Sequence, residues 1–286
     1  MADRPPVVLT IAGFDPSSGA GVTADIKTIA AHGCYGVACI TALTVQSTAG
    51  VRRVEALDPA LITETLQELT ADVPISAVHI GMPGNGKIVR ALADFLTLSS
   101  SKAGLPKLPN VVLDPILKSS SGAELLDASG IKLLVEKLIP LANVLTPNVD
   151  EAAFLTGLKV TDLDEMRAAA HKLHAMGAAA LVITGGHLEK AIDLLSFTTK
   201  RGIEQEVFKA ERQRSNSTHG TGCAFSTAMA CQLAQDRGLP EAALLAKTYV
   251  TAAIAAGHPL GRGTGPVHHL YRMHQQRRAA GSGSEA

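Results

Sequence analysis

The chain has 286 residues, 46% of them hydrophobic and 18% charged, and its 26 Lys and Arg are balanced by 26 Asp and Glu. A balance of that kind gives no net field to attract nucleic acid or an anionic membrane, so neither is an expected partner and a small-molecule function is. Six Phe, three Tyr and no Trp leave the core to Ala, Val, Ile and Leu, as for helices packed on a buried parallel sheet.

In chain order, "PVVLTIAG" reads as a first strand, too short to span a membrane and followed by no cleavage-like site. Residues 22–33 place Val22, Ile26, Ile29 and Ala30 on one helical stripe. "VACITALTVQ" is the next strand, and Asp58-Pro59 supplies an N-cap and a first-turn proline for a helix in "ALITETLQEL". "AVHIGM", "NVVLDPI", "NVLTPN" and "ALVITGG" are four more buried strands, separated by helical patterns at about 87–97, 130–140 and 163–176. Residues 98–109 read as a solvated loop, and 191–212 as a hairpin turning near Arg201-Gly202. Two Ala-rich helices, about 222–236 and 240–256, close the pattern. Lys247, on the second of them, reads as a surface lysine with its stem along apolar surface.

Strands alternating with helices predict parallel βαβ units in a three-layer αβα sheet, with ligands beyond the carboxyl ends of the strands. One domain over 1–278 and a flexible, low-complexity tail at 279–286 are expected. Cys34, Cys39, Cys223 and Cys231 form no CxxC pair and no zinc spacing, which fits reduced thiols in a cytoplasmic protein.

Nearly every predicted strand ends in polar or glycine punctuation: "AGFDPSSGAG", "VQST", "GMPGN", "LDPILKSSSG", "TPNVDEA" and "TGGH". In a parallel sheet these segments share one rim. There is no GxxxxGK[ST] and no GxGxxG. What remains is "HGTGC" opening a helix, where Gly220 and Gly222 let the backbone approach a ligand and the N–H groups of residues 220–223 can form an anion hole.

Taken together, "TIAGFDPSSGAGVTADIKT", "ITALTVQST", "GM", "VVLDP", "LTPNVDEA", "GGH" and "THGTGCAFS" closely resemble the hydroxymethylpyrimidine/phosphomethylpyrimidine kinases of thiamin biosynthesis, in the ribokinase-like superfamily. The likeness runs from about residue 7 to 270. It implies a single-domain ribokinase-like fold and two successive ATP-dependent phosphorylations, of 4-amino-5-hydroxymethyl-2-methylpyrimidine and then of its monophosphate. It also implies that Asp25 and Gln46 hydrogen-bond the aminopyrimidine, with Gly13 backbone nearby and Met82 against the ring. Asn148, Thr184 and Thr221 would lie at the nucleotide, and Glu151 and Asp114 at hydrated Mg²⁺; Asn148 and Glu151 also have the spacing of a plain capping box. Cys223 takes the slot of the general base, and the helix N-terminus is expected to lower its thiol pKa toward neutrality. Relatives of this kind are often dimers, so a homodimer is expected.

The chain departs from the family pattern in places. "DPILKSSSG" puts Lys118 two positions early and Ser120 in the usual lysine slot, Thr184 stands where a lysine often precedes "GGH", Ser217 replaces the usual Asn, and "GML" has become "GMP". Residues 118–122 are a candidate flap. A vitamin B6 kinase is the nearest alternative function, and a non-catalytic pyrimidine sensor a more distant one.

Overall fold

The computed structural model describes residues 4–101, 107–119, 122–186, 188, 191–213 and 215–273. The expected tail at 279–286, Ser120 of the candidate flap, His187 of "GGH" and part of the 98–109 loop lie outside the described residues. Nine strands form one sheet: β1 (Val7–Phe14), β2 (Tyr35–Ser47), β3 (Gly50–Ala56), β4 (Ala77–Ile80), β5 (Val111–Leu113), β6 (Val144–Leu145), β7 (Ala180–Gly185), β8 (Ala191–Thr199) and β9 (Gly202–Ala210). Their spatial order is β3-β2-β1-β4-β5-β6-β7-β8-β9. The run from β2 to β7 is parallel, and an antiparallel pairing closes each side, β2 with β3 on one and β7-β8-β9 on the other.

Helices cover both faces. Over one lie α2 (Pro59–Asp72), α3 (Gly86–Ser101), α4 (Ala128–Leu133), α5 (Val149–Thr156) and α6 (Leu163–Ala175), burying Ile62, Leu66, Leu92 and Met166 against Leu9, Ile80 and Leu113. Over the other lie α1 (Gly21–Ala31), α7 (Thr221–Ala234) and α8 (Leu239–Ala255), burying Ile29, Ala228 and Tyr249 against Val8, Val112 and Val182. The three-layer αβα expectation holds.

Local chemistry sets the boundaries. Asp58 accepts a hydrogen bond from the Ala60 N–H and Pro59 stands at N1, so α2 starts where the Asp-Pro pair predicts. The pattern at 130–140 is realised as α4 followed by a π turn at Leu134–Leu138 and a 3₁₀ turn at Ile139–Leu141, with Pro140 unable to continue the helix. Helix α7 is buried nearly all round, and its small side chains let it lie across β1, β4 and β5.

Strand β3 is absent from the expected elements. Its sequence, GVRRVEA, is charged and half-exposed, as an edge strand tolerates, so it lacks the apolar run that marks the buried strands. Among the described residues no helix is long and apolar enough to cross a membrane.

Candidate active site

The parallel strands end together. Strand β1 has β2 on one side and β4 on the other, so the chain direction reverses there and leaves a crevice at the carboxyl rim. The N-terminus of α7 opens onto this rim. Gly220, its N-cap, has φ +79°, and a Cβ there would fall 1.8 Å from the Gly19 carbonyl oxygen; only glycine closes this turn against the loop after β1. No side chain caps α7; the Thr221 N–H turns back to the Thr218 carbonyl at 3.3 Å, and the Gly222 and Cys223 N–H groups keep their capacity to donate. At Gly222 a Cβ would meet only Asp114 Oδ2, at 3.6 Å, so that face of the turn is open.

Asp114 follows β5. It is buried, its Oδ2 has no hydrogen-bond partner, and burial pushes its pKa up to about 6 against the opposing charge of His79. Glu151 lies within its influence: burial, then the Asp114 charge, push Glu151 up to about 8. A buried carboxylate with an orphaned oxygen, whose charge raises the pKa of a second carboxylate, fits a divalent cation held mainly through water. Among the described residues no group of three or more His, Cys, Asp or Glu is placed to enclose a metal.

Asn148 and Glu151 form a reciprocal capping box at the start of α5, with Asn148 Oδ1 accepting from the Glu151 N–H and Glu151 Oε2 from the Asn148 N–H, each at 2.9 Å. Thr184, at the end of β7, bridges to Asn148 and donates its N–H to the Pro147 carbonyl. The Thr221 hydroxyl donates to the Thr218 carbonyl at 2.7 Å.

Two expectations need correction. Asp25, expected at the pyrimidine edge, is fully buried: Oδ2 accepts from Thr10 at 2.6 Å and lies 3.2 Å from His79 Nδ1, while Oδ1 accepts from Thr227 at 2.8 Å. Its oxygens are used inside the protein, where it ties α1 to α7, β1 and β4. Burial draws the His79 pKa down, but the Asp25 charge and hydrogen bond override this and leave it raised. The second correction concerns Cys223, whose thiol is not lowered toward neutrality. Burial, then the charges of Asp114 and Asp25, push it well above its ordinary value, more than a hydrogen bond with the Gly21 backbone offsets.

Gly13 and Met82 meet at the end of β1, and Gln46 lies on β2 beside it. Met82 is buried across Gly13, where a Cβ would fall 2.3 Å from its methyl carbon. Gln46 is half-buried, with its Nε2 3.4 Å from His219 Nε2. That nitrogen is 3.0 Å from Asp15 Oδ2, and if it donates there it has no lone pair for the Gln46 amide. The Gln46 N–H groups then stay available to a ligand.

Asp15 and His219 were not singled out from the sequence, although both stand in its glycine-rich motifs. Asp15 accepts from the Ser17, Gly19 and Ala20 N–H groups and from His219, which fixes the 15–20 loop against the α7 turn. Burial raises its pKa, but those hydrogen bonds, led by His219, hold it lowered. Lys247 is also not the expected surface lysine. It is buried, and its Nζ pairs with Asp193 Oδ2 at 2.8 Å, while Asp193 Oδ1 accepts from the Gly185 N–H beside Thr184. The signal, a lone lysine among apolar neighbours, was in the sequence; its partner lies 54 residues away.

Comparison with known proteins adds to this geometry. A family model described as phosphomethylpyrimidine kinase matches residues 15–268. A thiamine biosynthesis bifunctional protein of Geobacter sulfurreducens is 41% identical over 265 residues, which is 92% of this chain but only 52% of that protein. A hydroxymethylpyrimidine/phosphomethylpyrimidine kinase of Streptomyces coelicolor is 40% identical over 94% of this chain and 96% of its own length. Among solved structures, Bacillus subtilis pyridoxal kinase with ADP aligns at TM-score 0.83 and 34% identity, covering 94% of this chain and all (100%) of that one. A phosphomethylpyrimidine kinase of Clostridium difficile aligns at TM-score 0.75 and 35% identity, covering 87% of this chain and 99% of that one.

Proposed function

The chain belongs to the phosphomethylpyrimidine kinase family, and on that premise we propose that it uses ATP to phosphorylate 4-amino-5-hydroxymethyl-2-methylpyrimidine and then its monophosphate. The observation that carries the reading is the uncapped first turn of α7, open at Gly222 toward Asp114 and Cys223. Phosphoryl transfer asks the protein mainly to position its reactants and to stabilise charge on the moving group, and unpaired backbone N–H groups at a helix start supply that stabilisation.

Each side chain has a task within this reading. Gln46 hydrogen-bonds the aminopyrimidine, Met82 packs on its ring and the Gly13 backbone lines the same side. Asp25 acts indirectly, by holding α1 to α7. Asn148, Thr184 and Thr221 border the nucleotide. Asp114 and Glu151 would hold hydrated Mg²⁺, which would supply positive charge to offset that of the phosphates. Cys223 faces the acceptor. In the first transfer it receives the hydroxymethyl proton in the minor fraction of molecules that hold a thiolate. In the second the acceptor is a phosphate monoester, mostly dianionic at neutral pH because its second pKa is about 6, so no base is needed and a neutral thiol does not repel it.

The expected homodimer is part of this reading, and sedimentation at working concentration tests it. Four free cysteines fit a reducing compartment such as the cytoplasm.

The structural likeness to pyridoxal kinase supports one other reading, a vitamin B6 kinase. A coupled assay of ADP release decides between them. The proposal expects kcat/KM on hydroxymethylpyrimidine to exceed that on pyridoxal; the reverse order would assign the site to vitamin B6, and no ADP release with either would sink the kinase reading.

A further inference from the structure

Behind the 15–20 loop lies a second pocket of about 220 Å³. Ser17 and Ser18 form one wall, Lys27 of α1 stands at its base, and His258, His268 and His269 come from the segment after α8. No carboxylate lines it. Asp15, whose charge reaches Lys27, is occupied by Ser17, Gly19, Ala20 and His219, and Asp25, whose charge reaches His269, by Thr10, Thr227 and His79.

The donors left over are informative. Lys27 Nζ is half-buried and gives one hydrogen bond to the Ser18 carbonyl, at 2.8 Å; among the described residues it makes no ion pair, so two of its N–H groups have no assigned acceptor. His269 is 4% exposed, its Nδ1 lies 3.0 Å from the Thr28 hydroxyl, and its Nε2 has no hydrogen-bond partner. The tautomer in which Nδ1 accepts from Thr28 leaves a buried Nε2–H that needs an acceptor. The His258 and His268 rings meet edge to face, with centroids 5.6 Å apart, and add imidazole at the mouth. Burial and the Lys27 charge push the His269 pKa down to about 4, with the Gly19 backbone opposing, so its ring is a neutral donor; beside a half-buried ammonium and with no carboxylate in the lining, it suits an anion. The rest of the wall, Leu260, Pro266, Val267 and Leu270, is apolar and gives the anion's body a surface.

We propose that this pocket is a second ligand site, separate from the rim, which takes a small phosphate monoester with its phosphate at Lys27 and His269 and its apolar body against Leu260 and Pro266. The assignment is independent of which acceptor the rim phosphorylates.

Phenyl phosphate is a suitable probe, because it carries the dianion and a flat apolar body but no pyrimidine. Calorimetric titration of the full chain should give saturable binding with a Kd of about 1 mM or below, and inorganic phosphate should compete but bind more weakly. Lys27→Met should weaken phenyl phosphate at least about tenfold and Lys27→Arg should retain it, since the charge-assisted bond is lost in one and kept in the other. Lys27→Met also removes the bond to Ser18, so Leu260→Glu provides a second variant that leaves the loop untouched. It should abolish binding while kinase activity stays at the wild-type level. No saturable binding to the wild type, or binding that survives both Lys27→Met and Leu260→Glu, would overturn the site. Binding lost in Gln46→Ala but kept in Lys27→Met would put the probe at the rim and overturn it equally. Equal affinity for phenyl phosphate and inorganic phosphate would remove the apolar wall from the assignment.

Discussion

Helices α5 and α7 both begin at the carboxyl rim, and their first turns are built in opposite ways. Asn148 and Glu151 close the start of α5 with a reciprocal pair of hydrogen bonds, whereas Gly220 opens α7 with no side-chain cap. A cap contributes about 1 kcal/mol to a helix, so leaving α7 without one costs roughly that much. In exchange its Gly222 and Cys223 N–H groups stay free for an anionic ligand. The carboxylate of the capped turn has one oxygen in the box, also meets the Leu117 backbone, and feels the Asp114 charge. The rim thus has one helix start finished by its own side chains and one without a side-chain cap.

The contrast is most sharply tested at Gly222→Val. An added Cβ has room at 3.6 Å from Asp114 Oδ2, so the variant is expected to fold, and the branched side chain blocks approach to the open donors. Turnover on both acceptors should fall by about 10³-fold or more. Substantial activity in a folded variant would remove the α7 turn from the site.

Cys223→Ser comes next. Phosphorylation of the alcohol should drop by about 10²–10⁴-fold and phosphorylation of the monophosphate far less, because only the alcohol needs a base. Equal losses on both would show that Cys223 shapes the turn and takes no proton. The raised thiol pKa adds a pH signature in the wild type. A thiol with a raised pKa is protonated at neutrality, so its thiolate fraction grows about tenfold per unit between pH 7 and 9. For the alcohol, kcat/KM should climb with that slope; for the monophosphate it should be nearly flat.

Changes at the capped turn should do less. Glu151→Gln keeps an acceptor for the Asn148 N–H but removes the charge, so Tm should hold while the Mg²⁺ needed for half-maximal rate rises about 10–100-fold. An unchanged Mg²⁺ titration would leave Asp114 as the metal-facing carboxylate. Asn148→Ala should be mildest, losing about 1 kcal/mol, or about 2–4 °C in Tm, with kcat largely kept.

Much of this architecture could be read from the chain. The buried strands declare themselves as short apolar runs, Asp58-Pro59 marks the start of a helix, and the rim motifs fall at the carboxyl ends of consecutive parallel strands. What was not legible depends on partners distant in sequence. Asp25 reads as a first-turn carboxylate until Thr10, His79 and Thr227 surround it. The helix-end argument for Cys223 is sound locally but omits Asp114 and Asp25, which arrive from β5 and α1. Lys247 meets Asp193 only once α8 packs beside the β8 hairpin. Strand β3 was missed for another reason, since a charged edge ribbon carries no apolar signal.

The contact between the 15–20 loop and the α7 turn also sets a timetable for the nascent chain. His219 and Asp15, whose hydrogen bond ties the two together, are 204 residues apart. At about 5–20 residues per second, the ribosome delivers the second roughly 10–40 s after the first. Until then the loop lacks its histidine, and Asp25 lacks the Thr227 hydroxyl from α7. The kinase is therefore expected to stay catalytically silent during most of its own synthesis. A ribosome-bound chain stalled before residue 215 should show no ATP turnover, while release of the full chain should bring activity on without a further maturation step.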